Sequence, residues 1–278
     1  MIRAVWRTWS GRLGAVLVAM MVACALVSVF WTPHDPVRVN PRAKWLGPSW
    51  SHWFGTDGGG TDIFSQVLEG ARTTLIVVVA AMVVAAVVGL TVGVATVVVP
   101  RWAGEGLTYI VDILISLPSL IFALILIAAV RASPWTVAFA IGFGLGVALA
   151  RIVRAEAERV LATDYVLAAR MSGSSTARLI VRHVLPNIAP TVVVQLSLVG
   201  AIAVLSEAAL SYLGLTSVSE ASWGRMIQGL QQSVQTHPWA LAAPGAAVVL
   251  ATLGFNLLGD GLRDALDPTL RRRQGGDS

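Results

Sequence analysis

Residues 73–99 read TTLIVVVAAMVVAAVVGLTVGVATVVV, without one charged side chain. As a helix this run would span about 40 Å, more than the ~30 Å hydrocarbon core of a bilayer. A helix that is apolar on every face needs apolar surroundings on every face. In lipid its backbone polar groups must bond within the segment, which selects a helix over an open strand despite the many valines. The stretch therefore reads as a transmembrane helix, and the fold class depends on how many more like it the chain holds.

Five further runs qualify: Leu13–Trp31, Leu107–Val130 interrupted by Pro118, Trp135–Val153, Ile188–Leu213, and Trp239–Leu258 with Pro244-Gly245 inside it. Proline and glycine are tolerated in such helices because neighbouring helices re-satisfy freed backbone groups. Composition agrees, with 56% hydrophobic and only 13% charged residues against about 25% charged in soluble domains. The expectation is an all-α polytopic membrane protein with six transmembrane helices. The first run could also be taken for a secretory signal, since Ala23-Cys24-Ala25 offers small residues. It is longer than the usual signal core of about 7–15 residues, which favours an uncleaved helix. The single cysteine, Cys24, excludes an intramolecular disulfide and a cysteine-built metal cage.

Basic residues set the orientation. With the N-terminus inside, fourteen of the 20 Lys and Arg residues fall in inner segments, among them Arg101, Arg154, Arg170, Arg178, Arg182 and Arg271 to Arg273. The other six, Arg38, Arg42, Lys44, Arg72, Arg131 and Arg225, fall outside. Both termini are thus expected in the cytoplasm, and the arginines follow topology rather than a nucleic-acid surface. The chain divides into residues 1–72 (first helix and outer segment), 73–268 (membrane core with an inner loop at 154–187) and 269–278 (basic tail).

The inner loop carries the sharpest pattern. In Thr163-Asp164-Tyr165-Val166-Leu167-Ala168-Ala169-Arg170-Met171-Ser172-Gly173, Asp164 can cap a short helix. Tyr165, Ala168, Ala169 and Ser172 then share one mostly small face, suited to a groove in another protein. Gly173 can end the helix with positive φ. Ser174 or Ser175 can cap a second helix, which Pro186 would end. A helix–turn–helix knob is predicted.

These residues resemble the EAA loop of ATP-binding-cassette importer permeases: a Glu-Ala-Ala triplet, three residues, a glycine, nine residues, an apolar residue, one more, then Leu-Pro. Here Ala168 and Ala169, Gly173, and Leu185-Pro186 stand at the matching positions, with Leu167 in place of the glutamate and His183 in place of the apolar residue. Arg182-His183-Val184-Leu185-Pro186-Asn187 looks like the variant of the dipeptide/oligopeptide/nickel branch. The likeness extends to Phe54-Gly55-Thr56-Asp57 through Gly70-Ala71-Arg72, to Asp112 through Pro118, to Glu207 through Leu215 with Ser222-Trp223-Gly224, and to Gly259-Asp260 through Leu266-Asp267-Pro268. The branch usually carries arginines where this chain has Thr61 and Gln66.

The resemblance implies a type I importer permease of the second-permease type in the bacterial cytoplasmic membrane. Its knob, through Tyr165, Ala168, Ala169, Gly173, His183, Leu185 and Pro186, would dock on a cytoplasmic ATPase. It also implies a paralogous permease partner forming a heterodimer, two ATPase chains that carry ATP and Mg, and an extracytoplasmic substrate-binding protein. Dipeptides, longer peptides, nickel chelates and glutathione-like solutes are all compatible.

Two acids lie within apolar runs. Glu207 and Asp112 are candidates for a translocation pathway, because a charge in the bilayer usually faces protein or water. Local pairing near a helix end is the alternative, favoured for Asp112 and evenly balanced for Glu207. Gly89 with Gly93, and Gly142 with Gly146, are small-xxx-small pairs suited to close helix crossing. Asp57 and Asp62 do not follow calcium-loop spacing, so no metal site is expected. Lys44, the only lysine, lies between Ala43 and Trp45, so a Gly-Lys-Ser/Thr phosphate loop is missing and catalysis is expected elsewhere. A secondary transporter or channel is the alternative class, but no internal repeat and few intramembrane charges support it.

Overall fold

The computed structural model describes residues 6, 8–116, 118–130, 132–216 and 221–266. Arg3, Arg7, Arg131, Asp267, Pro268 and the basic tail lie outside the described residues. Ten α-helices follow one another among the described residues: α1 Trp9–Phe30, α2 Ile63–Val98, α3 Arg101–Ser116, α4 Ser119–Val130, α5 Pro134–Leu161, α6 Asp164–Met171, α7 Thr176–Leu179, α8 Leu185–Tyr212, α9 Trp223–Leu230 and α10 Pro238–Leu266. An isolated bridge between Thr56 and Asp62 is the only β-type pairing among them.

Five helices are long and apolar enough to cross a membrane, α8 being continuous with α7 from Thr176 to Tyr212. The third apolar run departs from a simple span. It forms α3 and α4, of 16 and 12 residues, which meet at 90° and make a sixth span only if counted together. Alone each reaches roughly 24 Å or 18 Å, short of the ~30 Å needed. Pro118 has no N–H to give and disfavours helical backbone before it. Moreover α3 begins at Arg101, and Arg101, Glu105, Thr108 and Asp112 recur at helical spacing as a polar stripe. The other long helices outrun their apolar cores. α2 starts at Ile63, ten residues before its uncharged run, and passes through residue 72. α5 continues to Leu161 and α10 to Leu266.

Glycines weld the bundle. The two predicted pairs face each other across one interface: Gly89 and Gly93 receive Leu149 and Val153, while Gly142 and Gly146 receive Ala81 with Val84 and Ala85 with Val88. A Cβ on Gly142 would stand 2.6 Å from the Ala81 carbonyl, so only glycine permits this approach. The contacts advance together along both chains, so α2 and α5 run parallel. Those of α10 run in reverse order along its partners, Gly14 beside Leu258 and Gly261 beside Gly11 on α1, Gly200 beside Phe255 and Gly259 beside Ser197 on α8. The ends of α5 and α10 and the starts of α1 and α8 therefore share one face of the bundle. The segment 31–62 and α9 share the opposite face.

Two apolar clusters fill the interior. The larger joins α1, α2, α4, α5, α8, α9 and α10. The smaller sits under the face that carries the knob and joins Leu149, Val153, Ala157 and Val160 of α5 to Val166, Leu179, Val184 and Ile188. Many large apolar side chains, such as Val79, Val83, Ile113 and Leu253, point outward. In water such a surface would drive association, whereas hydrocarbon leaves it at rest.

Candidate functional site

The knob is built on the end of α5. Beyond the apolar core α5 carries Arg154–Glu158 and Arg159–Glu156 ion pairs at 2.8 and 2.7 Å, the i,i+4 and i,i+3 contacts that suit a wet helix. Thr163 then takes the N-cap position of α6, which helix spacing assigns to Asp164. The Thr163 hydroxyl donates back to the Val160 carbonyl at 2.6 Å and makes no cap bond. Asp164 becomes the first helical residue, where its charge faces the positive end of the helix dipole.

Gly173 ends α6 at φ +84°. Ser174 N–H donates to the Ala169 carbonyl at 3.2 Å and Gly173 N–H to that of Arg170 at 3.0 Å, the paired bonds of a Schellman turn. Ser175, one of the two predicted caps, accepts from the Arg178 N–H. Pro186 does not end the second helix. Residues Ile180–Val184 form a π turn, with Leu185 N–H bonded to the Ile180 carbonyl five residues back, and α8 follows without a break. The widened turn gives room for the proline ring, which would clash with the carbonyl of a regular preceding turn.

Val166, 2% exposed, pins α6 to the small apolar cluster. Around it Tyr165, Leu167, Ala168, Met171 and Ser172 are exposed, Met171 at 90%. Of the predicted face, Ala169 instead packs half-buried on the cluster. Tyr165 and His183 are brought together: their rings lie 5.9 Å apart, and Asn187 Nδ2 donates both to the Tyr165 hydroxyl at 3.2 Å and to the His183 carbonyl at 2.6 Å. Leu185 is half-buried against the same cluster and Pro186 is exposed. The result is a small projection whose exposed side carries apolar Leu167, Ala168 and Met171, with charged Asp164 and Arg170 at its two ends.

The two intramembrane acids differ. Glu207 is fully buried and accepts from the Thr74 hydroxyl at 3.0 Å and the Ser211 hydroxyl at 2.6 Å, tying α8 to α2. Asp112 is about half exposed on α3 and lies 3.7 Å from Arg151 of α5. The Ser211 contact lies at i,i+4 spacing, but the cross-helix contacts to Thr74 and Arg151 are not readable from spacing.

On the opposite face, Asp57 uses one oxygen to accept the Gly59 and Thr61 N–H groups, an Asx-type turn, and the other to accept from Gln66 Nε2 at 2.8 Å. The side chain standing at a family arginine position thus holds this carboxylate directly. Asp62 caps α2 by accepting from Ser65 N–H and Oγ. The fold also brings His34 and His52 to Asp62, a meeting over 28 residues of sequence that no motif announces. Trp223 of α9 lies across Gly70, and its Nε1 donates to the Val67 carbonyl at 3.0 Å.

Among known proteins, residues 85–272 match the family described as the binding-protein-dependent transport system inner membrane component. A dipeptide transport system permease protein of Alkalihalophilus pseudofirmus is 34% identical over 259 residues, covering 93% of this chain and 85% of its own. Two proteins of Brucella suis biovar 1 are named, provisionally, as a peptide permease protein and a peptide transport system permease protein. They are 36% identical (92% of this chain, 85% of the relative) and 37% identical (97% and 91%). An all-α bundle with five or six spans, coverage of nearly the whole chain and the match over its core agree: the chain belongs to the binding-protein-dependent transport system inner membrane components, the permease subunits of ATP-binding-cassette importers.

Proposed function

We propose that this permease carries peptides of dipeptide or oligopeptide size across the cytoplasmic membrane, and that α6 and α7 form its docking knob for a separate ATPase chain. The observation that carries the docking role is the exposed tip of Tyr165, Leu167, Ala168 and Met171 on a helix pinned from behind by Val166. Exposed Leu167 and Met171 on a short helix beyond the membrane-length helices are suited to a groove in a partner. The names of the relatives support the substrate class. The knob face holds the start of α1 and the end of α10, which supports both termini in the cytoplasm. A paralogous permease, two ATPase chains holding ATP and Mg, and an extracytoplasmic binding protein complete the machine in this reading. Half-exposed Asp112 suits a path shared with the partner permease better than buried Glu207, whose carboxylate is engaged inside the chain.

The test is reconstitution in proteoliposomes with the neighbouring permease, ATPase and binding-protein chains. Labelled dipeptide should accumulate only with ATP and all components. Uptake that persists without the ATPase chains would overturn the reading.

A further inference from the structure

Three side chains on the face opposite the knob converge with no motif to bring them. Asp62 is 3% exposed at the start of α2. Its Oδ2 accepts from the Ser65 N–H at 2.8 Å and Ser65 Oγ at 2.7 Å. Its Oδ1 faces two imidazoles, His52 Nδ1 at 2.9 Å and His34 Nδ1 at 3.8 Å. The two rings stack with centroids 4.5 Å apart. Ligand atoms of the three residues all lie within 4.8 Å of one another.

A hydrogen bond accounts for His52 but not for His34, whose 3.8 Å separation exceeds hydrogen-bond reach. We propose that His34, His52 and Asp62 form a binding site for a divalent transition cation, with Zn2+ the ion best suited to the donor set. Imidazole nitrogen and carboxylate oxygen bind Zn2+ at about 2.0–2.2 Å, which sets ligand atoms roughly 3.3 Å apart in a tetrahedron. The His52–Asp62 pair is already closer than that, and a small turn of the half-exposed His34 ring brings it into range. Three protein ligands leave a fourth position for water or a solute group. The supporting shell is in place: Ser65, fully buried, orients the Asp62 carboxylate and also accepts from the His34 backbone N–H at 3.1 Å. Such outer partners fix ligand orientation in metal sites. Bound there, the ion would clip the segment after α1 and the loop at His52 to the first turn of α2.

The experiment is equilibrium dialysis of the purified full chain in detergent against Zn2+. The chain has four histidines, so His183→Gln and His237→Gln serve as controls beside His34→Gln, His52→Gln and Asp62→Asn. Asn keeps the helix cap, so Asp62→Asn separates ligand loss from unfolding. One ion per chain is expected, bound at least ~10-fold more weakly in each of the three cluster variants and unchanged in both controls. Co2+ in the unaltered chain should give the visible absorption of a four-coordinate nitrogen and oxygen site, a readout that needs no variant. The proposal fails if no saturable site exists at micromolar Zn2+, if binding survives His34→Gln and His52→Gln, or if a control variant removes it.

Discussion

Gly173 gives the sharpest handle on the knob. It lies at φ +84°, and a Cβ built on it meets nothing within 4 Å. Any effect of a substitution therefore comes from backbone strain or from a partner, never from crowding within the chain. Alanine in the left-handed region costs roughly 1–2 kcal/mol, equal to about 5–30-fold in the equilibrium constant for holding the turn. Asparagine accepts this conformation far better while adding more bulk. If the ATPase recognises the turn as folded and the turn is only marginally held in the free permease, Gly173→Ala should weaken ATPase binding by up to about 5–30-fold. Gly173→Asn should then stay within roughly threefold of the unaltered chain, since its strain is a fraction of that. Both variants should insert and melt normally, because the turn itself is exposed while Val166 and Leu179 on either side of it stay packed on the cluster. The assay is titration of the solubilised permease pair with its ATPase chains, followed by ATP-driven dipeptide uptake in proteoliposomes. Equal loss in both variants would refute the strain argument and show instead that a partner surface fills the open space beyond Gly173. No loss in either would remove the turn from the mechanism.

Val166→Ala should loosen α6 by about 1–3 kcal/mol, as expected for methyl groups lost from a packed cluster; faster hydrogen exchange confined to residues 164–186 would record it. Glu207→Gln keeps an acceptor oxygen for one of the Thr74 and Ser211 hydroxyls and offers the other an amide N–H, which a hydroxyl oxygen accepts, and should be tolerated, whereas Glu207→Leu strands both hydroxyls at about 1–3 kcal/mol each and should lower the melting temperature in detergent. Gly142→Val places carbon 2.6 Å from the Ala81 carbonyl and should force α2 and α5 apart, read as loss of folded protein on size exclusion, while Gly245→Ala, with open space around it, should behave normally.

The membrane-spanning runs were legible because hydrocarbon imposes a length and forbids charge, and both constraints are local in sequence. What escaped was decided by partners in space. Small-xxx-small spacing marks Gly89, Gly93, Gly142 and Gly146 as contact points, but only packing reveals that the two pairs lock the same two helices together. Spacing also carries the Schellman end at Gly173, since positive φ is a property of the residue itself. It misplaces the cap one residue late, because Thr163 spends its hydroxyl on the Val160 carbonyl. It stops the second helix at Pro186, because a π turn is a register shift with no compositional signature. The third run bends for a reason half visible in Pro118 and half hidden in the polar stripe of α3, which begins at Arg101, before the apolar window opens at Leu107. His34, His52 and Asp62 come from a turn, a loop and a helix cap, so no periodicity could join them.

The placement of the two apolar clusters bears on how force could cross the bilayer. A docking element transmits motion only if it is stiff against the body it moves. Here Val166, Leu179 and Val184 fasten the knob to both α5 and α8 through one cluster. The glycine faces fasten α5 to α2, and the Thr74–Glu207 hydrogen bond fastens α8 to α2 near the far side. A push on the exposed tip would therefore move α2, α5 and α8 as one body rather than bend α6 alone. Such a push shifts the balance between inward and outward states only if ATP binds its own subunit differently in each. In the docking reading the permease would supply the lever, and the π turn at Ile180–Val184, where the knob enters α8, is a place in it where the regular helix ladder widens. Stiffening or relaxing that turn should alter coupling without touching either the docking face or the outer segment.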